Sequence, residues 1–147
     1  MATIATETAG LLAQINRLPG QYIGIDNVNR AHYRRLHAMT EGTTAMYIIN
    51  GALGSPYSMK MRALMRYRRI PHLWVHGADS RDALSKVKAP VIPVMEYPDG
   101  TFHNDSTPLI YDLEARHSER SVIPADPAHA FIAHLIEDFA DEWVTKA

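Results

Sequence analysis

The segment Gly54-Ser55-Pro56-Tyr57-Ser58 decides the fold, because it separates an apolar, β-branched stretch (46–50) from a stretch with helical spacing (57–70). Ser55 is a favoured residue at a helix N-cap, and Pro56 is favoured at the first helical position. A helix start presents unpaired N–H groups and the positive end of the helix dipole. The segment therefore predicts a strand–turn–helix unit whose helix start can stabilise an anion or a thiolate.

Two further segments extend this unit into a domain. Val91-Ile92-Pro93-Val94 places an X-Pro bond inside an apolar stretch, and Asn104-Asp105-Ser106-Thr107 places an acidic residue and a serine at another helix start. Between them, Pro98-Asp99-Gly100 is a strong turn signal that predicts a hairpin. The predicted element order over 46–117 is β-α-β-α-β-β-α, which indicates a mixed α/β domain.

Composition excludes several classes of protein. The chain has 147 residues, a formal net charge of -1 and no cysteine. General nucleic-acid or membrane-surface binding needs an excess of positive charge, so we expect neither. A disulfide framework, a zinc–thiolate site and a cysteine nucleophile are ruled out. No apolar run of about 18 residues predicts a transmembrane helix, and the N-terminus does not resemble a secretory signal, so we expect a cytoplasmic protein.

The flanking regions differ in character. Residues 1–45 form a weakly patterned extension, with helical spacing only over 11–18 and 31–39. Residues 118–147 comprise a linker and a final helix. The apolar stripe on that helix is wide for packing on one small domain, which indicates either a partner chain or further helices. Its members are Ile132, Ile136, Phe139 and Trp143.

Taken together, these segments resemble the glutathione transferases over residues 46–147. The resemblance implies a thioredoxin-like βαβ-α-ββα domain over 46–117, preceded by the extension 1–45. It also implies that 118–147 is a linker and the first helix of an incomplete all-α domain. The joint spacing of the three segments carries the resemblance, since each alone is weakly specific.

The resemblance assigns the reactive end of the site to Ser55. In this family a serine or cysteine at that position stabilises the sulfur of bound glutathione. Ser55 would donate a hydrogen bond to the thiolate without acting as a nucleophile, and the helix start would lower the thiol pKa as well. Tyr57 would form part of the pocket wall. The alternative is that Ser55 is only a helix cap.

The remaining glutathione contacts also follow from the resemblance. The family proline, here Pro93, is cis, and the backbone of Ile92 would pair with the cysteinyl part of glutathione. Asp105 and Ser106 would hold the γ-glutamyl group, and Lys88 could reach the glycyl carboxylate. The alternatives are a proline that only starts a strand, a simple N-cap and a solvated lysine.

The implied function is transfer of glutathione, as co-substrate, to a small electrophile by thiolate activation, without a metal and in a homodimer. Two departures from the family bear on it. Serine replaces the cysteine of glutaredoxins, so redox exchange through a protein disulfide is excluded. The family builds its electrophile pocket mostly from the helical domain, of which one helix is present. The alternative function is a non-catalytic thioredoxin-fold binding or interaction module.

Other readings have weaker support. The loop 51–55 lacks both the G-x-G-x-x-G and the Gly-Lys-Ser/Thr patterns of nucleotide-binding loops. The basic residues of the 57–70 helix could face RNA, but a solvated face is the simpler interpretation. His72 and His76 share a strand face at about 13 Å, too far apart for one metal. The chain lacks the G-x-S-x-G elbow that a serine hydrolase would need.

Overall fold

A computed structural model describes residues 24–26 and 46–146. The two helical stretches predicted at 11–18 and 31–39 lie outside these residues. Five strands form one mixed sheet in the order β1-β3-β2-β4-β5. β1 and β2 run parallel to β3, whereas β4 runs antiparallel to β2 and β5 antiparallel to β4. This arrangement confirms the predicted thioredoxin-like α/β fold.

The elements follow in the predicted order after residue 46. The strands are β1 (Gly24–Asp26), β2 (Tyr47–Gly51), β3 (His72–His76), β4 (Val94–Glu96) and β5 (Phe102–Asn104). The α-helices are α1 (Pro56–Arg68), α2 (Arg81–Leu84), α3 (Ser106–Arg116) and α4 (Pro127–Glu142). Short 3-10 helices at Gly77–Ser80 and Val144–Lys146 precede α2 and follow α4.

Helix α1 begins as its sequence predicts and ends slightly earlier. The Ser55 Oγ accepts a hydrogen bond from the Ser58 N–H, with Pro56 in the first turn. At the other end Arg69 adopts a left-handed conformation, with φ of 57°, and its N–H bonds to carbonyls of the last turn. Such a residue satisfies terminal carbonyls and turns the chain towards β3 before Pro71.

Two elements are short. Strand β4 begins only at Val94, because Pro93 lacks the N–H that a ladder needs. Helix α2 ends at Leu84. Beyond it, Lys86 N–H bonds to Ala83 O, and the chain continues as an irregular loop to β4.

The sheet buries apolar side chains on both faces because successive strand residues alternate. Ile49 and Trp74 lie on the face covered by α1 and α3, together with Met61, Met65 and Leu113, all nearly inaccessible. The opposite face carries a smaller cluster: Met46, Ile48, Leu73 and Val75. Because α1 and α3 are packed against the sheet through these side chains, their positions relative to the strands are fixed.

The sequence did not predict β1. Gly24, Ile25 and Asp26 pair in parallel register with His72, Leu73 and Trp74. Three residues are too few to show the alternation by which a strand is recognised. Their pairing converts β3 from an edge strand into an interior strand, so part of the 1–45 region contributes to the sheet.

Helix α4 turns its polar face towards the domain. Asp126 caps its start by accepting the His129 N–H, and Pro127 occupies the first turn. Its apolar residues point away from the other described elements and are half to two-thirds exposed: Phe131, Ile132, Leu135, Ile136, Phe139 and Trp143. Among residues 24–26 and 46–146, no helix is both long enough and apolar enough to span a membrane.

Candidate functional site

Three strand ends bring the three sequence segments to one end of the sheet. Asn50 of β2 pairs with Val94 of β4, and Val94 pairs with Asn104 of β5. Neighbouring strands lie about 4.8 Å apart, so this row spans about 10 Å. Ser55 follows the row on β2, Ile92 precedes it on β4, and Asp105 follows it on β5. The segments that carry Ser55, Ile92 and Asp105 are therefore attached at the same end of the sheet.

Ser55 is a helix cap and can still serve a ligand. Its Oγ uses a lone pair to accept from Ser58 N–H at 3.2 Å, which leaves the hydroxyl proton to donate. The Ser55 N–H bonds to Ala52 O at 3.1 Å, and Pro56 has no N–H. The donors of this turn that remain for a ligand are the Ser55 hydroxyl and the Tyr57 N–H. These are fewer donors than the sequence suggested.

The approach to this turn is tightly packed at Gly51. A Cβ added there would lie 2.8 Å from Ser58 Cβ and 2.9 Å from Trp74 Cη2. The Ser58 Oγ in turn accepts the Ala52 N–H at 3.3 Å. Glycine is needed at this position because β2 and the first turn of α1 meet without a gap. The loop that carries Ser55 is thereby held close to the sheet.

The loop before β4 carries the proline segment. The Ile92–Pro93 peptide bond is cis. Pro93 is buried, Ile92 is half-buried and Lys88 is exposed. The Asn104 amide donates to Ala89 O at 2.6 Å and to Val91 O at 3.4 Å, which fixes this loop to the end of β5. The sequence alone predicts no role for Asn104, because its partners lie 13 and 15 residues away along the chain.

Asp105 and Ser106 begin α3. Asp105 has a φ of 74° and a ψ of 114°, and its carboxylate accepts the Thr107 N–H at 3.4 Å. Non-glycine residues in such regions cost about 1–3 kcal/mol and are enriched at ligand-binding positions. Asp105 is exposed and Ser106 is 3% exposed. The carboxylate is thus accessible at a helix start, with a buried hydroxyl beside it.

Buried Asn50 supports the same row from behind. It is fully buried, and its amide donates to Val94 O at 3.2 Å and to Ile48 O at 3.4 Å. Buried polar groups normally have such partners, and the bond to Val94 O helps to fix the start of β4, directly after Pro93. In the sequence, the only signal for this role is an asparagine at the end of an apolar strand.

Tyr57 points towards α4. Its hydroxyl donates to Asp141 O at 3.0 Å and lies 2.8 Å from Thr145 Oγ1. Beside it, Lys60 pairs with Glu137 at 2.7 Å and with Asp141 at 2.6 Å. Tyr57 therefore connects the first turn of α1 to the end of α4, close to the Ser55 turn.

The other basic residues of α1 do not form one solvated face, contrary to the simpler interpretation of the sequence. The Arg62 guanidinium lies 5.4 Å from the centre of the Trp74 ring. Arg68 is 3% exposed and pairs with Glu114. Ala63 and Tyr67 of the same helix are exposed. Arg62 and Arg68 therefore pack against the domain instead of facing solvent.

A cleft of about 110 Å³ lies between α3, the linker and α4. It is mostly apolar, and none of the seven predicted site residues lines it. Its lining residues are Thr107, Ile110, Tyr111, Val122, Ile123, Ala133, His134 and Glu137. Within 24–26 and 46–146, no group of three or more His, Cys, Asp or Glu residues is arranged to hold a metal ion.

Three solved structures share this fold. A glutathione S-transferase from Methylobacterium radiotolerans, in complex with glutathione sulfonate, is 23% identical with a TM-score of 0.61, covering 65% of this chain and 47% of that one. A Tau class enzyme from mango (Mangifera indica) is 24% identical with a TM-score of 0.58, covering 67% and 46%. A glutathione S-transferase from Methylobacillus flagellatus with glutathione bound is 24% identical, with a TM-score of 0.52, covering 65% and 48%.

The chain thus spans a little less than half the length of these three proteins. No curated protein matches the sequence. The family model of the glutathione S-transferase N-terminal domain matches residues 50–121, which run from the end of β2 through α3 into the linker. Residues 50–121 of this chain therefore match the thioredoxin-like N-terminal domain of the glutathione S-transferase family.

Proposed function

We propose that this chain binds glutathione at the end of the sheet where Ser55, Ile92 and Asp105 converge. The observation that carries the proposal is the row Asn50–Val94–Asn104, which spans about 10 Å and places the attachment points of all three segments at one end of the sheet. Two of the similar structures hold glutathione or its sulfonate. Glutathione has an ammonium, two carboxylates and a thiol, so a site for it needs donors and an acceptor spread over such a distance.

Each end of the tripeptide has a matching group. The exposed Asp105 carboxylate pairs with the γ-glutamyl ammonium. The N–H groups at the start of α3 and the Ser106 hydroxyl donate hydrogen bonds to the adjacent carboxylate. The backbone of Ile92 pairs with the cysteinyl unit, and Lys88 lies on the loop nearest the glycyl end. The Ser55 oxygen caps α1 through a lone pair, and its O–H donates a hydrogen bond to the sulfur.

This arrangement supports a transferase mechanism. Hydrogen bonding to the thiolate and the positive end of α1 both lower the thiol pKa, which raises the fraction of the nucleophilic form at neutral pH. The thiolate then attacks a small electrophile, with both reactants held together. In the proposal, the electrophile lies towards Tyr57 and α4. The exposed apolar stripe of α4 is consistent with a homodimer. The cytoplasm is the proposed compartment.

Titration calorimetry with glutathione tests the binding step. We compare the unmodified chain with Asp105→Asn, which keeps a cap acceptor and tolerates a positive φ while it removes the charge. The dissociation constant should rise at least tenfold in the variant. An equally tight variant would remove Asp105 from the site, and no binding by the unmodified chain would refute the proposed function.

Thiol activation needs a second measurement. Ser55→Ala should raise the pKa of the bound thiol, followed by thiolate absorbance, whereas Ser55→Thr should keep it low because the hydroxyl remains. Loss of the cap alone costs about 1 kcal/mol of stability. If the thiol pKa is the same in all three proteins, Ser55 is only a cap. Binding without turnover would favour the non-catalytic module.

A further inference from the structure

The inner face of α4 reaches the two helix starts that carry the candidate site. One carboxylate oxygen, Glu137 Oε1, accepts from Lys60 Nζ of α1 at 2.7 Å and from Thr107 Oγ1 of α3 at 2.8 Å. Lys60 lies five residues after Ser55, and Thr107 lies two residues after Asp105. A single atom of α4 therefore joins the second turn of α1 to the first turn of α3.

The surroundings make this junction stronger than an exposed ion pair. The side chains of Lys60, Glu137 and Asp141 are only 26%, 27% and 18% exposed. Bonds between charged groups in such partly buried places are about twice as strong as neutral ones. Lys60 also binds Asp141 at 2.6 Å, so its charge is balanced from two successive turns of α4.

The protonation states agree with this geometry. Burial alone would raise the pKa of Glu137, but its bonds to Lys60 and Thr107 outweigh burial and lower it. Burial alone would lower the pKa of Lys60, but its bonds to Asp141 and Glu137 outweigh burial and raise it. Both groups are therefore charged across the neutral range.

We infer that Glu137 is a positioning residue, which ties the Ser55 end of the site to the Asp105–Ser106 end through Lys60 and Thr107. The inference rests on the proposed function for its effect on glutathione, and on geometry alone for the tie between the helices. It goes beyond the residues that touch glutathione, because Glu137 acts through both helices. Without it, the distance between the two ends of the site would no longer be fixed from the α4 side.

The first test needs no glutathione. Lys60→Met perturbs α1. Amide hydrogen exchange in the first turn of α3 then reports whether the perturbation is transmitted from α1 to α3 through Glu137. The exchange should become at least threefold faster in Lys60→Met. In a Glu137→Gln background, the same Lys60 substitution should add nothing. A merely local role of Lys60 would leave the exchange of α3 unchanged, and that result would overturn the inference.

The second test measures glutathione binding. Glu137→Gln should raise the dissociation constant about tenfold, while Asp138→Asn should leave it unchanged, because it removes an exposed carboxylate from the next position of the same helix. Unchanged binding in Glu137→Gln would overturn the positioning role. If the unmodified chain fails to bind glutathione, the proposed function falls, and the exchange experiment alone decides whether Glu137 joins the two helices.

Discussion

Arg68 offers the sharpest test of how the linker is fixed. This arginine is the last residue of α1 and is 3% exposed. Its Nη1 lies 2.9 Å from Glu114 Oε1 of α3, and its guanidinium also donates to the carbonyls of His117 and Glu119. Glu114 in turn accepts the Val122 N–H at 3.1 Å. The chain between α3 and α4 is thus wrapped around one buried cation.

The cost of removing that cation can be worked from these contacts. Removing one partner of a buried ion pair costs about 3–5 kcal/mol. Methionine keeps much of the aliphatic stem of arginine, so little packing is lost. The Glu114 side chain is 14% exposed and retains other donors, which favours the lower end. We therefore expect Arg68→Met to lower the free energy of unfolding by about 3 kcal/mol.

Urea unfolding followed by tryptophan fluorescence and circular dichroism measures this change. Arg81→Met is the matched control, since Arg81 is exposed on α2, and it should stay within about 0.5 kcal/mol of the unmodified chain. Adding Glu114→Gln to Arg68→Met should recover part of the loss, because it removes the stranded charge. A loss below about 1 kcal/mol in Arg68→Met would refute the reasoning, since only an exposed pair is worth so little.

Three further outcomes follow from the structure. Gly51→Ala should lower stability by about 1–3 kcal/mol in urea, because the new Cβ meets Ser58, whereas Gly54→Ala has open space and should not. Asn104→Ala removes two bonds to the loop before β4, so amide exchange in that loop should become faster; unchanged exchange would mean that the loop holds itself. Burial and two nearby guanidinium groups lower the pKa of His117 from 6.5, so stability should be complete above pH 6.5 and decline as the pH falls through the folded-state pKa. An NMR titration that gives the folded-state His117 ring a pKa of 6.5 or higher would contradict this direction.

Local chemistry made most of the domain predictable. Ser55-Pro56 and Asp105-Ser106 are cap sequences whose effect needs no distant partner, and the structure has helices starting at both. Pro98-Asp99-Gly100 likewise gives a tight turn, with Gly100 at a φ of 82°. Because these signals are spaced along one α/β pattern, the fold class follows from them.

The distant contacts were not predictable. Arg68 looks like one more surface cation, and only the folded chain places Glu114 and two carbonyls around it. Glu137 was one acidic residue among several on α4, and its role depends on Lys60 and Thr107, which lie 77 and 30 residues away. A single sequence does not encode such separations in any local pattern.

The pairing of β1 with β3 has a consequence for the order of folding. Its paired residues Gly24 and His72 are 48 positions apart, whereas Val94 and Asn104 of the β4–β5 hairpin are 10 apart. Loop-closure entropy grows with the logarithm of that separation, so joining β1 costs about 1.4 kcal/mol more than closing the hairpin. Only three residue pairs repay this cost. We therefore expect β1 to dock last on an already formed four-stranded sheet, and to be the first strand to detach when the chain unfolds.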